Sequence, residues 1–281
     1  MKTVTSIKDL KLALEKNPHA QIGFVPTMGD LHQGHLSLVK TAKSQSDFVV
    51  VSVFVNPTQF NNPQDLENYK INLDSDKELL KKNQVDLLFA PTPDVMYPEG
   101  FSTYVEENAF TQNLCGASRP GHFKGVTTIV AKLFNLIKPQ KAFFGLKDYQ
   151  QFLTIKKMAT DLNFDVEIIP VPIVREEDGL ALSSRNKRLS DHDRFRALSI
   201  YKSLLLAEQT FKKGERNLAA IKELVRQTID DAISDTDAFI DYIEFVDADH
   251  LGAPIPNSRF LIAVAVQFSN CRLIDNRVIE P

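Results

Sequence analysis

Between Ala20 and Pro170 the chain repeats one pattern: a short apolar run, a polar junction, then apolar residues at helical spacing. Ala20–Pro26 reads as a buried strand stopped by proline, and His35–Ser46 as a helix with Leu36, Leu38, Val39 and Ala42 apolar. Phe48–Val55 is a nearly continuous β-branched run, the composition of a parallel strand covered on both faces. The alternation continues with a helix that includes Lys77–Lys82, a strand at Val85–Ala90, a helix at Val126–Ile137 and a strand at Lys141–Phe144. A helix at Asp148–Asp161 and a strand at Asp165–Pro170 complete it. Such a sequence predicts an α/β fold with a doubly wound parallel sheet.

Near Val171–Arg175 the alternation ends. A polar stretch over residues 176–194 is followed by helical patterns at Ala197–Lys212 and Leu218–Ile233. Strand-like runs then follow at Phe239–Val246, Phe260–Phe268 and Arg272–Ile279. Helices followed by strands without crossover units predict a smaller α+β domain, so residues 1–173 and 174–281 are expected to form two domains. The 281 residues are enough for that division, and a hydrophobic fraction of 43% with 25% charged residues is ordinary for a globular chain.

The net charge of -3 offers no basic field for nucleic acid. Cys115 and Cys271 have no ligand-like spacing and indicate neither a disulfide framework nor a zinc site. No run approaches the roughly 18 apolar residues of a membrane span. The opening MKTVTSIKDLKLALEK lacks the apolar core of a signal peptide. The expectation is a cytoplasmic protein with no membrane or nucleic-acid partner.

Five polar constellations carry chemistry. The first is Pro26-Thr27-Met28-Gly29-Asp30-Leu31-His32-Gln33-Gly34-His35, running from a strand end into a helix start. Ligands of doubly wound sheets bind at that place, and the exposed N–H groups of a helix start favour anions. Two imidazoles three residues apart there suit charge developing on a phosphoryl group. The second pairs Asn56 with Gln59, neutral groups suited to a hydroxy acid, although taken alone this segment reads as an ordinary Asn-Pro turn. The third, Leu114–Gly125, gathers Arg119, His122 and Lys124 in a glycine-rich stretch expected to be a loop, either a lid over an anion or a solvated surface. In the fourth, Gly145, Leu146, Lys147 and Asp148 occupy a second strand–helix junction, with Lys147 in reach of phosphate, Asp148 as a helix cap and Gln151 one turn on. The fifth sets Ser183 and Ser184 beside Arg185, a phosphate-binding set or a cap followed by a basic solvated face.

In their order and spacing, PTMGDLHQGH, VFVNPTQF, LCGASRPGHFKGV, FFGLKDYQQ and GLALSSRN resemble the pantothenate synthetase family over residues 20–190. The resemblance implies a Rossmann-type first domain and a second domain that closes over ATP. It implies a cytoplasmic homodimer that uses Mg²⁺ and ATP to join pantoate to β-alanine through an acyl-adenylate. It makes the Pro26–His35 junction an ATP site, with His35 as proton donor and His32 and Lys147 as its catalytic partners. Gly145, Leu146, Lys147 and Asp148 become the second ATP loop. Val174, Leu182, Ser183, Ser184 and Arg185 become the ATP contacts of the second domain. Gln59 and Gln151 become pantoate contacts, Gln59 also near β-alanine, with Asn56 beside them. The metal ligands are left open. Leu146, Leu182, Lys124 and the Tyr69-Lys70-Ile71 stretch depart from the family pattern.

Two other readings share the HxGH junction. A nucleotidylyltransferase acting on a phosphorylated substrate calls for a basic second pocket where this chain offers Asn56 and Gln59. A non-catalytic nucleotide-binding regulator would bind ATP without turnover.

Overall fold

The computed structural model describes residues 1–69, 71–255 and 258–280; Lys70, in the Tyr69–Ile71 departure, lies outside the described residues. The chain divides into two compact units, one made of Met1–Leu146 with Gln150–Pro172, the other of Lys147–Tyr149 with Ile173–Pro281.

Unit 1 begins with β1 (Lys2–Val4), α1 (Ile7–Leu14), β2 (Ile22–Thr27), α2 (Gln33–Gln45) and β3 (Phe48–Val53). A single 3₁₀ turn (Pro57–Gln59) leads to α3 (Pro63–Glu67), α4 (Leu73–Lys82), β4 (Leu87–Phe89) and α5 (Pro93–Met96). Then come α6 (Leu114–Ser118), α7 (His122–Ile137), β5 (Lys141–Gly145), a 3₁₀ turn (Leu146–Asp148), α8 (Tyr149–Asp161) and β6 (Glu167–Val171). Among the described residues the strands form one six-stranded sheet in the order β1-β4-β3-β2-β5-β6, and every pairing is parallel. The predicted Rossmann-type doubly wound parallel sheet is therefore what the chain forms. Val49, Val50, Val51 and Val53 of β3 are all buried, as a strand covered on both faces requires. Strand order advances outward from β2 through β3 to β4, then returns to β5 on the other side of β2. The reversal between β2 and β5 is the switch point at which such sheets open a crevice at their carboxyl ends.

The α2 helix starts two residues before the expected His35, at the cap that His32 supplies, and α4 likewise begins at a side-chain cap. Asn72 caps α4 through Ser75 N, with Asp74 and Asp76 in the first turn and Lys81 and Lys82 in the last, each favourable toward the helix dipole. The Leu114–Gly125 stretch, expected as a loop, is instead mostly helical: α6 occupies 114–118, and α7 begins at His122. Gly121 takes a φ of 80° between them, a backbone that a β-carbon would strain, and allows the reversal into α7. The edge strand β1 was not legible in the sequence, being three residues long.

Unit 2 contains a 3₁₀ turn at Ser184–Arg188, α9 (Asp191–Arg196), α10 (Leu198–Lys212), α11 (Leu218–Ile233) and the strands β7 (Phe239–Asp247), β8 (Phe260–Gln267) and β9 (Arg272–Ile279). The strands form an antiparallel sheet in the order β7-β8-β9, giving the expected α+β architecture. Leu204, Phe211, Val225 and Ile229 of the helices share one core with Ile243, Phe260, Val264 and Leu273 of the sheet. At its edge, Arg175 makes a bidentate pair with Asp275, at 2.6 and 2.9 Å. Arg175 also donates to the Gly179 carbonyl and lies over the Tyr201 ring. Only 4% of the Asp275 side chain and 18% of the Arg175 side chain is exposed, so removing one partner leaves the other charge buried. Asp275→Ala is therefore expected to lower unfolding free energy by about 3 kcal/mol, measured by denaturant titration.

Candidate active site

The junction after β2 sits at the switch point. Thr27 Oγ1 donates to the Ser52 carbonyl of β3 at 2.8 Å and accepts from Gly29 N, turning the chain away from the sheet. Gly29 and Asp30 both have positive φ, 86° and 50°. A β-carbon at Gly29 would fall 2.7 Å from Ile71 Cγ2 and 3.0 Å from Asp76 Oδ2, so space as well as φ requires glycine. The turn is held from outside the motif. Asp76, buried on α4, accepts from Asp30 N at 3.0 Å with one oxygen and from Leu31 N at 2.9 Å with the other. Nothing in the motif points to this residue, which lies 45 positions beyond Leu31; its only trace in the sequence is an acidic first turn on a helix.

The two histidines build the start of α2. His32 is the N-cap, and its Nδ1 accepts from Gly34 N at 3.1 Å. His35 Nδ1 accepts in turn from His32 N at 3.3 Å, a reciprocal capping box in which imidazoles take the usual places of a hydroxyl and a carboxylate. A nitrogen that accepts from a backbone N–H cannot carry a proton, so both neutral rings hold theirs on Nε2. The rings lie 4.1 Å apart between centroids, tilted by 37°. Capping thus fixes tautomer and orientation together, and makes Nε2–H the donor of each ring.

Next to it, at the carboxyl end of β3, lies the Asn56–Gln59 turn. Asn56 is 1% exposed. Its Nδ2 donates to Gln59 Oε1 at 2.9 Å and to the Gly125 carbonyl at 3.1 Å. Its Oδ1 accepts from Thr58 Oγ1 and Tyr97 Oη at 2.9 and 2.8 Å. The Gln59 carbonyl is held separately: His122 Nδ1 donates to it at 2.8 Å and Arg119 at 3.3 Å, while a second Arg119 nitrogen donates to His122 Nε2. Arg119 and His122 therefore brace the Gln59 turn, in place of the lid or solvated loop that their charge suggested. Gly125 lets α7 approach: a β-carbon there would lie 2.5 Å from the Thr58 carbonyl oxygen.

At the end of β5 stand Gly145 and Leu146, with Gln151 half-buried on the first turn of α8. Its neighbour Gln150 is buried and donates to the carbonyls of Phe110 and Asn113.

Lys147 and Asp148 belong to unit 2. The Lys147 carbonyl accepts from Asn276 Nδ2 of β9 at 2.9 Å, and Tyr149 Oη donates to the Ala248 carbonyl at 3.0 Å. Lys147, Ser183, Asn186 and Asp275 line one small cavity. Val174 and Leu182 are brought together because Leu182 N donates to the Val174 carbonyl at 3.0 Å. Ser183 caps the following 3₁₀ turn, accepting from Arg185 N, which leaves Ser184 and Arg185 half-buried on its first residues.

A doubly wound parallel sheet with a fixed pair of imidazole donors at a helix start on its switch point defines an α/β protein that handles phosphate-bearing ligands. Comparison with known proteins narrows the class. The family model described as pantoate-beta-alanine ligase matches residues 1–278. A pantothenate synthetase from Thermosipho africanus is 49% identical over 99% of this chain and 100% of its own length. The crystal structure of pantothenate synthetase from Thermus thermophilus superimposes with a TM-score of 0.90 at 44% identity, covering 100% of both chains. A pantoate-beta-alanine ligase from Francisella tularensis, solved in complex with beta-gamma ATP and beta-alanine, gives a TM-score of 0.82 at 38% identity over 99% of this chain and 97% of that one. The chain belongs to the pantoate–β-alanine ligase family.

The Asp76 anchor is directly testable. In Asp76→Asn an amide N–H replaces one acceptor and faces a backbone N–H. The variant should lose about 1–3 kcal/mol in urea unfolding, the cost of a buried donor without an acceptor.

Proposed function

We infer that this chain joins pantoate to β-alanine at the expense of ATP, forming pantothenate with release of AMP and pyrophosphate. The full-length relationship to proteins named pantothenate synthetase carries this reading. Among the described residues no helix is long and apolar enough to cross a membrane.

A carboxylate is a poor electrophile, so the reaction divides in two. A pantoate carboxylate oxygen attacks the α-phosphorus of ATP, the bond to the β-phosphate breaks, and pyrophosphate leaves. The β-alanine amine then attacks the acyl carbon of the mixed anhydride, expelling AMP and losing a proton. Both steps depend on positioning and on charge stabilisation at phosphate.

In this reading the Pro26–His35 junction binds ATP, and the Nε2–H groups of His32 and His35 donate to phosphate oxygens as charge builds. Gln59 and Gln151 hold pantoate. Gly145, Leu146, Lys147 and Asp148 form the second phosphate loop, and Val174 with Leu182–Arg185 complete the nucleotide contacts. Residues 1–173 then act as the nucleotide and pantoate domain and residues 174–281 as its partner, with Lys147–Tyr149 grouped structurally with the latter. Homodimer formation and a cytoplasmic setting belong to the same reading and rest on family resemblance.

Mg²⁺ fits this donor set as a companion of the nucleotide. Among the described residues no group of three His, Cys, Asp or Glu side chains is arranged to hold a metal, and Mg²⁺ readily keeps water and phosphate oxygens as ligands. Asp148, a half-exposed carboxylate 3.8 Å from Lys147 Nζ, would help to hold it. When bound it neutralises phosphate charge.

The test is pyrophosphate release from ATP and Mg²⁺ with D-pantoate, with and without β-alanine. Release with pantoate, sustained into AMP and pantothenate only when β-alanine is added, is the expected result; none under either condition, from folded protein that binds ATP, overturns the reading. His35→Asn keeps a side-chain acceptor for the His32 amide but changes the donor geometry. Its single-turnover adenylate formation should fall about 10²- to 10³-fold, with ATP affinity largely kept.

A further inference from the structure

The hydrogen bonds around Asn56 fix more than Asn56. The Gly125 carbonyl can only accept, so the amide edge facing it is Nδ2. The opposite edge is then Oδ1, and it receives the hydroxyl protons of Tyr97 and Thr58. The second Nδ2 proton points at Gln59, which answers with Oε1. Both lone-pair directions and both protons of Asn56 are thereby committed, and the residue has nothing left to offer a substrate. One consequence passes to Gln59: with Oε1 engaged by Asn56, the edge it presents elsewhere is Nε2–H₂.

Tyr97 stands at the head of this chain, and its hydroxyl is held by packing of its ring. Phe101 meets the ring edge to face at 5.0 Å and Phe54 lies at 6.2 Å between centroids. Lys132 Nζ lies over the Phe101 ring at 4.5 Å. The backbone of the Gln59 turn is clamped independently by Arg119 and His122, so the remaining freedom at Gln59 is which way its amide faces.

We propose that Tyr97 and Asn56 are positioning residues that lock the Gln59 amide with its N–H₂ toward substrate, so that Gln59 recognises pantoate as a hydrogen-bond donor to one of its oxygens. This rests on the reading that Gln59 contacts pantoate, and it adds which atom does so and what compels it. No motif marks Tyr97, and Asn56 was expected beside Gln59 among the substrate contacts.

The test is a double-mutant cycle read on the KM for pantoate, with KM for ATP as the control. Tyr97→Phe keeps the packed ring and deletes the proton, and should raise KM for pantoate about two- to tenfold, the worth of one hydrogen bond. Asn56→Asp places a carboxylate oxygen against the Gly125 carbonyl and offers Gln59 an acceptor, which turns its amide around; the increase should be about 100-fold. KM for ATP should stay within twofold in Tyr97→Phe. In a Gln59→Ala background both substitutions should lose most of their effect, since they act through the side chain that is gone. Equal effects in both backgrounds, or a Tyr97→Phe enzyme with wild-type KM for pantoate, overturn the proposal while leaving Gln59 as a pantoate contact. A Gln59→Ala enzyme with wild-type KM for pantoate overturns the contact itself, and the proposal with it. Should Asn56→Asp not fold, the Tyr97→Phe arm decides alone.

Discussion

Everything at the candidate site of unit 1 depends on the parallel pairing of β2 with β3 on one side and β5 on the other. Parallel strands bring their carboxyl ends to one edge, so the loops after Thr27, Val53 and Gly145 emerge side by side. Because strand order reverses between β2 and β5, the helices that follow depart to opposite faces and the edge stays open there. Motifs separated by more than a hundred residues thus meet through backbone hydrogen bonding, before any side chain contributes.

Much of this was legible from the chain. Buried strands announce themselves by β-branched runs, and the HxGH and KD junctions by falling where an apolar run passes into a helical one. What escaped is of a different physical kind. Asp76 serves a turn 45 residues upstream, Tyr97 an amide 41 residues upstream and Asn276 a carbonyl 129 residues upstream. Each is a lone polar residue whose meaning comes from a partner fixed by tertiary structure, so no local pattern marks it. The Leu114–Gly125 stretch misled for a related reason. Its glycines suggested a loop, yet Gly121 serves a reversal and Gly125 a close helix approach, while Arg119 and His122 are turned inward to the Gln59 carbonyl.

Polar groups near this edge fall into two populations. Asp76, Asn56, Arg119 and His122 spend their hydrogen bonds on backbone and amide groups of neighbouring loops. In His32 and His35 the Nδ1 atoms build the helix start, and that leaves the proton of each neutral ring on Nε2. Polar groups whose orientation is fixed by hydrogen bonds to neighbouring loops are what is expected where geometry, more than covalent chemistry, sets the rate.

The hold of Asn276 on the Lys147 carbonyl ties a residue near the middle of the chain to its last strand. During synthesis the first unit has every residue of its sheet by Val171, about a hundred residues before β9 is made. The residues of that sheet are therefore all in place long before the residue that holds the Lys147 carbonyl, so the backbone at Lys147 is set by a partner that enters the chain last of the groups described at this edge.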